Sequence, residues 1–262
     1  AAPAVLKVSC TAMDLRHAAD PILVGHYEND PISGAEAIID RDVVCNELTM
    51  RMHLGLYPGA VGTATVVLID QNEQERQRGT QRGTLVTGLG KFGKLSAGSL
   101  TEAVRAAALR YLLSKFEREV GVCVEFDDGL PPLDLGLSTL LLGFNSTANI
   151  GVGDSVHAIV RGVLEANRQF AEGQRHRRLT RIVRLEIVER SLDVAITAAK
   201  ELRTVAARLD ADASQLGMRV EAETELRQKE GGGARARLEV LAAAGYWPQL
   251  IVTDANSPLD GG

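Results

Sequence analysis

An apolar run that leads directly into the glycine spacing Gly-x-Gly-x-x-Gly most strongly limits what this chain can fold into. The run covers residues 84–87, and the glycines that follow are Gly88, Gly90 and Gly93. In a dinucleotide-binding turn the third glycine lies in the first turn of a helix, whose amides hold a pyrophosphate. Here the first clear helix start is the capping-box pattern Ser99 to Glu102. The loop is therefore too long for such a turn, and the glycines indicate a strand-end loop instead.

Strand-like and helix-like segments alternate along the chain. Short apolar runs predict strands near residues 4–9, 20–27, 63–70, 84–87 and 137–143. Apolar positions at helical spacing predict helices from a second capping box, Ser33 to Glu36, and over residues 100–116 and 156–170. The polar stretch 71–82 is typical of an exposed hairpin loop. Nearly continuous apolar strands indicate an α/β fold with helices on both faces of its sheet.

The pattern changes at a polar, basic break over residues 173–178. Beyond it, residues 181–189 predict a strand and 192–209 a helix, while strict alternation at 218–226 predicts a strand with one solvated face. A glycine run could turn this strand into an antiparallel partner near residues 234–240. We therefore predict an α/β domain over residues 1–173, a smaller α+β extension with an antiparallel hairpin over 179–255, and a linker-like tail over 256–262.

Composition excludes several classes of protein. A net charge of -5, a sequence pI of about 5.6 and 4% aromatic residues disfavour nucleic-acid binding. The basic run from Arg175 to Arg184 could bind an acidic partner, although such runs are usually solvated. No apolar run approaches the roughly 20 residues that a membrane-spanning helix needs, and three scattered cysteines suit a reducing compartment. We expect a cytoplasmic protein without a membrane partner.

Catalytic patterns are not found in the sequence. None of the five histidines belongs to a known catalytic motif, and there is no Gly-x-Ser-x-Gly elbow and no zinc or redox motif. His26 is the best-placed histidine, since it follows a buried strand, but capping or surface hydrogen bonding explains it more simply. We therefore predict no catalytic residue, no metal and no cofactor.

Two glycine-containing loops are the candidate ligand-binding segments, because ligands usually bind at strand ends of α/β sheets. Their backbone amides could hold a phosphate, with lysine supplying charge. Against this, Asp154 at the start of the second helix would cap that helix and repel an anion. The glycines could instead serve only tight turns and close packing. The candidate residues are Gly88, Gly90, Lys91, Gly93, Asn145, Ser146, Gly151 and Gly153.

A series of segments resembles the N-terminal domain of cytosolic leucine aminopeptidases. They are the strand 21–25, the helix 34–40, the turn 56–63, the strand end 85–90 and the alanine-rich helix after Thr101, within a match from about Val5 to Phe170. The resemblance implies a macro-domain-like α/β fold with a mixed sheet, and a noncatalytic role in assembly. The family's Asn-Thr-Asp-Ala-Glu-Gly-Arg metal segment is echoed only at residues 252–257, where Asn256 occupies the metal-binding glutamate position. Residues 140–167 are similar in placement to the last strand, phosphate loop and helix of macro domains, which implies an ADP-ribose-like ligand.

A looser resemblance links the chain to N-terminal regions of bacterial proteins that carry a caspase-like CHAT protease domain. It rests on the Gly-His-Tyr-Glu stretch at residues 25–28 and the turn at 57–63. Together the resemblances favour a noncatalytic sensing, assembly or protein-interaction module of a larger protein. Its partner would be another protein or further domains of the same polypeptide, and a homo-oligomer is possible. The alternative is an ADP-ribose- or nucleotide-binding macro-like domain, with hydrolase activity as an open option.

Overall fold

The computed structural model describes residues 4–78, 80–119, 132–144, 150–173, 179–223, 225–229 and 231–235. The strands are β1 (Ala4–Ala12), β2 (Ile22–Tyr27), β3 (Ala64–Leu68), β4 (Gly83–Gly90), β5 (Leu133–Thr139), β6 (Thr180–Glu189), β7 (Met218–Ala222) and β8 (Arg227–Gln228). The helices are α1 (Gly34–Asp42), α2 (Glu47–His53), α3 (Glu73–Arg78), α4 (Ala97–Glu119), α5 (Val152–Gly173), α6 (Leu192–Ala211) and α7 (Ala213–Leu216).

The eight strands form one mixed sheet in the order β3-β4-β2-β5-β6-β1-β7, with β8 paired to β1. Among the described residues every pairing is parallel except that of β3 with β4. Parallel strands need crossover connections, which the intervening helices supply. The predicted α/β class and mixed sheet are therefore confirmed.

Helices cover both faces of the sheet, and alternate side chains of β2 belong to the two cores that these helices form. Leu23 packs with residues of α4, α5 and α6, whereas Ile22 and Val24 pack with residues of α1 and α2. Successive side chains of a strand point to opposite faces, so a run that is apolar at every position is buried on both sides. The prediction of helices on both faces is confirmed. No helix in the described part of the chain is long and apolar enough to cross a membrane.

The described strands beyond residue 179 pair with the N-terminal strand, whereas the predicted antiparallel hairpin stays a prediction, because most of its second strand lies outside the described residues. Both β6 and β7 run parallel to β1 and flank it on either side. Alternation along a strand reports one solvated face but carries no information about the direction of its neighbour. The neighbour of both β6 and β7 is the N-terminal strand β1. The division of the chain into two units stays a prediction, and residues 236–262, with the second hairpin strand and the tail, lie outside the described residues.

Local boundaries also differ from the sequence patterns. Helix α4 begins at Ala97 rather than Ser99, and the Ser99 amide donates to Ser96 Oγ at 3.2 Å. Glu102 pairs with Arg105 one turn along the helix, so the expected capping box does not form. The segment 71–82, predicted to be a loop, contains the short helix α3. In α4 the missing capping box has a simple cause, since Arg105 in the same helix competes for the Glu102 side chain.

Asp14 fixes the chain where β1 ends. Its carboxylate accepts hydrogen bonds from the backbone amide and the Nε of Arg16, the latter at 2.9 Å, and its own amide donates to the Gly232 carbonyl. The hydrogen bond from the Arg16 side chain lowers the pKa of Asp14 to about 2. A depressed folded-state pKa means that this carboxylate stabilises the fold above its usual pKa of about 3.9. That contribution is lost as the pH falls through about 2.

We predict that Asp14→Asn makes the free energy of unfolding less sensitive to acid. Asparagine keeps an oxygen that accepts the Arg16 amide but does not titrate. Chemical denaturation between about pH 5 and pH 2 should show a steeper loss of stability for the native sequence than for the variant. Parallel curves for the two proteins would show that Asp14 does not contribute to acid sensitivity.

Candidate ligand-binding cleft

A cleft of about 510 Å³ opens at the carboxyl ends of β2 and β5. Ligands of open α/β sheets bind at this edge, and small-molecule sites usually measure about 300–1,000 Å³. The leucines of the lining form an apolar wall, and the end of β2 with the start of α1 forms a polar wall. The lining comes from the end of β2, the start of α1, one residue of β4 and the segment after β5: residues 24–27, 30–31, 33–36, Leu89 and 140–144.

Three polar side chains, which we call the Glu36 cluster, meet at the polar part of the cleft, where two of them belong to its lining. The cluster consists of His26, Glu36 and Tyr57. The two oxygens of Glu36 lie 3.1 and 3.0 Å from His26 Nδ1, and the Tyr57 hydroxyl donates to Oε1 at 3.0 Å. The His26 ring also meets the Tyr57 ring edge to face, with centroids 4.7 Å apart. Since His26 and Glu36 are only 4% and 8% exposed, these contacts are made away from solvent.

Three separate elements bring the Glu36 cluster together. His26 shares the strand face of Ile22 and Val24, because side chains two residues apart point the same way. Glu36 lies in the first turn of α1, where a carboxylate also interacts favourably with the helix dipole. Burial and the neighbouring Glu36 carboxylate raise the pKa of Tyr57 far above its ordinary value. The Tyr57 hydroxyl therefore stays protonated and remains a donor.

The second predicted capping box is also absent. Ser33 is the N-cap of α1, but its side chain makes no capping hydrogen bond, because Glu36 points into the cluster. The simpler interpretation of His26, as a capping or surface residue, is wrong for the same reason. Hydrogen bonds from two donors to a carboxylate are worth more than one bond back to an exposed amide. No local pattern in the sequence marks Tyr57, which joins the cluster from a distant segment.

Backbone hydrogen bonds hold the first candidate loop against the segment at residues 59–63. The amide of Gly88 donates to the Thr63 carbonyl at 2.9 Å, and that of Gly90 donates to the Gly59 carbonyl at 2.8 Å. A Cβ atom on Gly88 would lie 2.2 Å from the carbonyl oxygen of Ala60, so only glycine allows this close backbone approach. Lys91 and Gly93 lie in the exposed turn that follows. A ligand-binding role for the four residues stays a prediction, and the amides of Gly88 and Gly90 do not carry it.

The second candidate loop lies partly outside the described residues, which exclude Asn145 and Ser146. The Gly151 carbonyl accepts the Ser155 amide at 3.0 Å and begins α5. A Cβ atom on Gly153 would lie 2.8 Å from Glu201 Oε2, so this glycine allows α6 to approach α5 closely. Ligand binding by these residues stays a prediction. Gly143, which was not among the candidates, lines the cleft in a left-handed conformation with a φ of 74°.

A second pocket, of about 360 Å³, lies on the sheet face formed by β1 and β6. Its charged lining includes Lys7, Asp20, Arg184 and Glu186. Burial raises the pKa of Asp20, and an ion pair with Arg184 at 3.3 Å opposes that rise. Charges of both signs line this pocket, which gives it no preference for an anion. Within the described ranges no group of three or more histidine, cysteine, aspartate or glutamate side chains could hold a metal ion.

Comparison with known proteins gives matches among solved structures. No protein-family model matches the sequence, and no curated protein matches it. A mutant macrodomain from Oceanobacillus iheyensis shares 9% identity at a TM-score of 0.43, covering 76% of this chain and 88% of that one. Another mutant of that macrodomain, with ADPR, shares 11% identity at a TM-score of 0.42, covering 76% and 92%.

The bottromycin maturation enzyme BotP, in complex with Mn, shares 15% identity at a TM-score of 0.38, covering 73% of this chain and 30% of that one. At these identities the likeness concerns the fold alone. The specific relationships to leucine aminopeptidases and to CHAT proteins stay predictions.

We predict that Glu36→Ala lowers the free energy of unfolding by about 3 kcal/mol, because it leaves buried donors on His26 and Tyr57 unpaired. Ser33→Ala is the matched control, since the Ser33 side chain caps nothing, and its effect should stay below about 0.5 kcal/mol. Urea denaturation of both variants measures the difference. Equal losses would mean that the capping box, and not the buried cluster, holds α1.

Proposed function

We propose that this chain binds a nucleotide-type ligand of the ADP-ribose class in the cleft at the carboxyl ends of β2 and β5. The observation that carries the proposal is the cleft itself, which places an apolar wall opposite the N-terminus of α1 within about 510 Å³. A ligand with an anionic middle and a flat apolar end suits such a site. The macro-domain resemblance of residues 140–167 suggests the same ligand class.

The start of α1 suits a phosphate group. Gly34 and Ala35 line the cleft, and the first amides of a helix have no partner within the helix. Such amides, together with the positive end of the helix dipole, attract anions. The carboxylate of Glu36 would oppose this attraction, but His26 and Tyr57 both donate hydrogen bonds to it. These bonds turn the carboxylate inward and disperse its charge.

The remaining walls suit the rest of such a ligand. Leu89, Leu141 and Leu142 offer buried apolar surface at the cleft, which can pack against a base or the carbon face of a sugar. Asp30 lies at the exposed rim and can accept hydrogen bonds from an amine or sugar hydroxyl. These contacts support binding. Turnover of the ligand stays a prediction.

The other expected role also stays a prediction. It describes a noncatalytic sensing or assembly module of a larger CHAT-type bacterial protein, with a protein partner or a homo-oligomeric state. Ligand binding in the cleft is compatible with that role, because a bound nucleotide can signal through a module that performs no chemistry. A cytoplasmic location is likewise a prediction.

We predict that ADP-ribose binds to the purified chain and that Ser33→Glu weakens its binding about tenfold, or about 1.4 kcal/mol. A carboxylate at the helix N-terminus favours the fold while it repels the phosphates. Ser33→Gln has a similar size without the charge, so its dissociation constant should stay close to that of the native sequence. Isothermal titration calorimetry at low salt measures all three proteins.

Two results would contradict the proposal. One is no detectable heat with ADP-ribose for the native sequence. The other is binding that Ser33→Glu and Ser33→Gln leave equally unchanged, which would place the ligand elsewhere on the molecule.

A further inference from the structure

The hydroxyl group of Tyr27 is buried and has no hydrogen-bond partner among the described residues. The other two tyrosines whose contacts are described behave differently. The Tyr57 hydroxyl donates to Glu36 at 3.0 Å, and the Tyr111 hydroxyl donates to the Gly136 carbonyl at 3.1 Å. Leaving a buried polar group unpaired costs free energy, and native proteins rarely do so without a reason. The Tyr27 hydroxyl therefore calls for a functional explanation.

The backbone around Tyr27 is irregular at the same point. The register between β2 and β4 shifts between His26 and Tyr27, so that Tyr27 pairs with Gly90 after His26 has paired with Gly88. The extra residue is Leu89 in β4, which also lines the cleft, and such bulges are common beside ligand sites. Tyr27 lines the cleft, next to His26. The shift is thus associated with a residue that faces the ligand site.

The ring of Tyr27 contacts an exposed aromatic ring on the turn after β4. The ring of Phe92 meets the Tyr27 ring edge to face, with centroids 5.2 Å apart, yet Phe92 itself is 57% exposed. Lys91, the preceding residue, is also exposed. An exposed side chain on a turn can change rotamer at little cost. Movement of Phe92 would uncover part of the Tyr27 ring.

We propose that Tyr27 determines specificity in the cleft by donating its hydroxyl hydrogen to a phosphate oxygen of the bound ligand. This inference rests on the proposed function and adds to it the group that Tyr27 recognises. The ligand supplies the acceptor that no described residue provides to this hydroxyl. Tyr27 acts in binding and takes no part in any chemical step.

The test is Tyr27→Phe, with Tyr111→Phe as the matched control. Removing an unpaired hydroxyl should leave the thermal unfolding midpoint unchanged or raised, while the affinity for ADP-ribose falls about tenfold. Removing the paired hydroxyl of Tyr111 should lower the midpoint by about 2–4 °C with the affinity unchanged. Adenosine, which has no phosphate, should bind both variants as it binds the native sequence.

The outcomes separate the two proposals. If the native sequence binds ADP-ribose and Tyr27→Phe binds it equally well, the role of Tyr27 is wrong while the proposed function stands. A drop in the unfolding midpoint of Tyr27→Phe like that of Tyr111→Phe, with unchanged affinity, would assign the hydroxyl to the fold. If the native sequence does not bind ADP-ribose, both proposals fail together.

Discussion

The buried carboxylate of Glu36 is the interaction on which the rest of the site depends. It joins His26 on β2, its own helix α1 and Tyr57 in the segment after α2. Because these elements meet at one carboxylate, the N-terminus of α1 is held at the end of β2, where the cleft opens. A carboxylate buried among donors gives strong and directional hydrogen bonds, whereas one left without them would be very unfavourable. The position of the cleft thus follows from a single charged group.

The glycine run that dominates the sequence has a supporting role in this arrangement. Gly88 and Gly90 let the segment at residues 59–63 approach β4 so closely that backbone groups bond directly. That segment follows Tyr57, so the close packing also holds the tyrosine that completes the Glu36 cluster. The glycine spacing that suggests a phosphate loop is explained here by backbone packing. The helix amides that could bind a phosphate belong to α1, which follows β2, the strand beside β4.

Much of the fold could be predicted from the sequence, because apolar runs report burial directly. The residues of β2 are apolar on both of its faces, and this pattern alone predicts helices on both sides of the sheet. Strand order could not be predicted, since β1 lies between β6 and β7, and Thr11 bonds with Glu186 from 175 positions away. The capping boxes were misleading because Glu36 and Glu102 fit two arrangements each: a tertiary contact with His26 decides for Glu36, and Arg105 in the same helix decides for Glu102. The Tyr27 hydroxyl, which has no hydrogen-bond partner within the described ranges, is marked by no sequence pattern.

Hydrogen exchange with and without ADP-ribose tests the central claim most directly, since it locates a ligand without altering the protein. Amides of residues 26–27, 33–36 and 140–144, which line the cleft, should exchange more slowly when ADP-ribose is bound. Amides of β1 and β6 beside Lys7 and Arg184, which line the second pocket, should exchange at unchanged rates. Protection confined to that second pocket, or no protection at saturating ADP-ribose, would contradict the account.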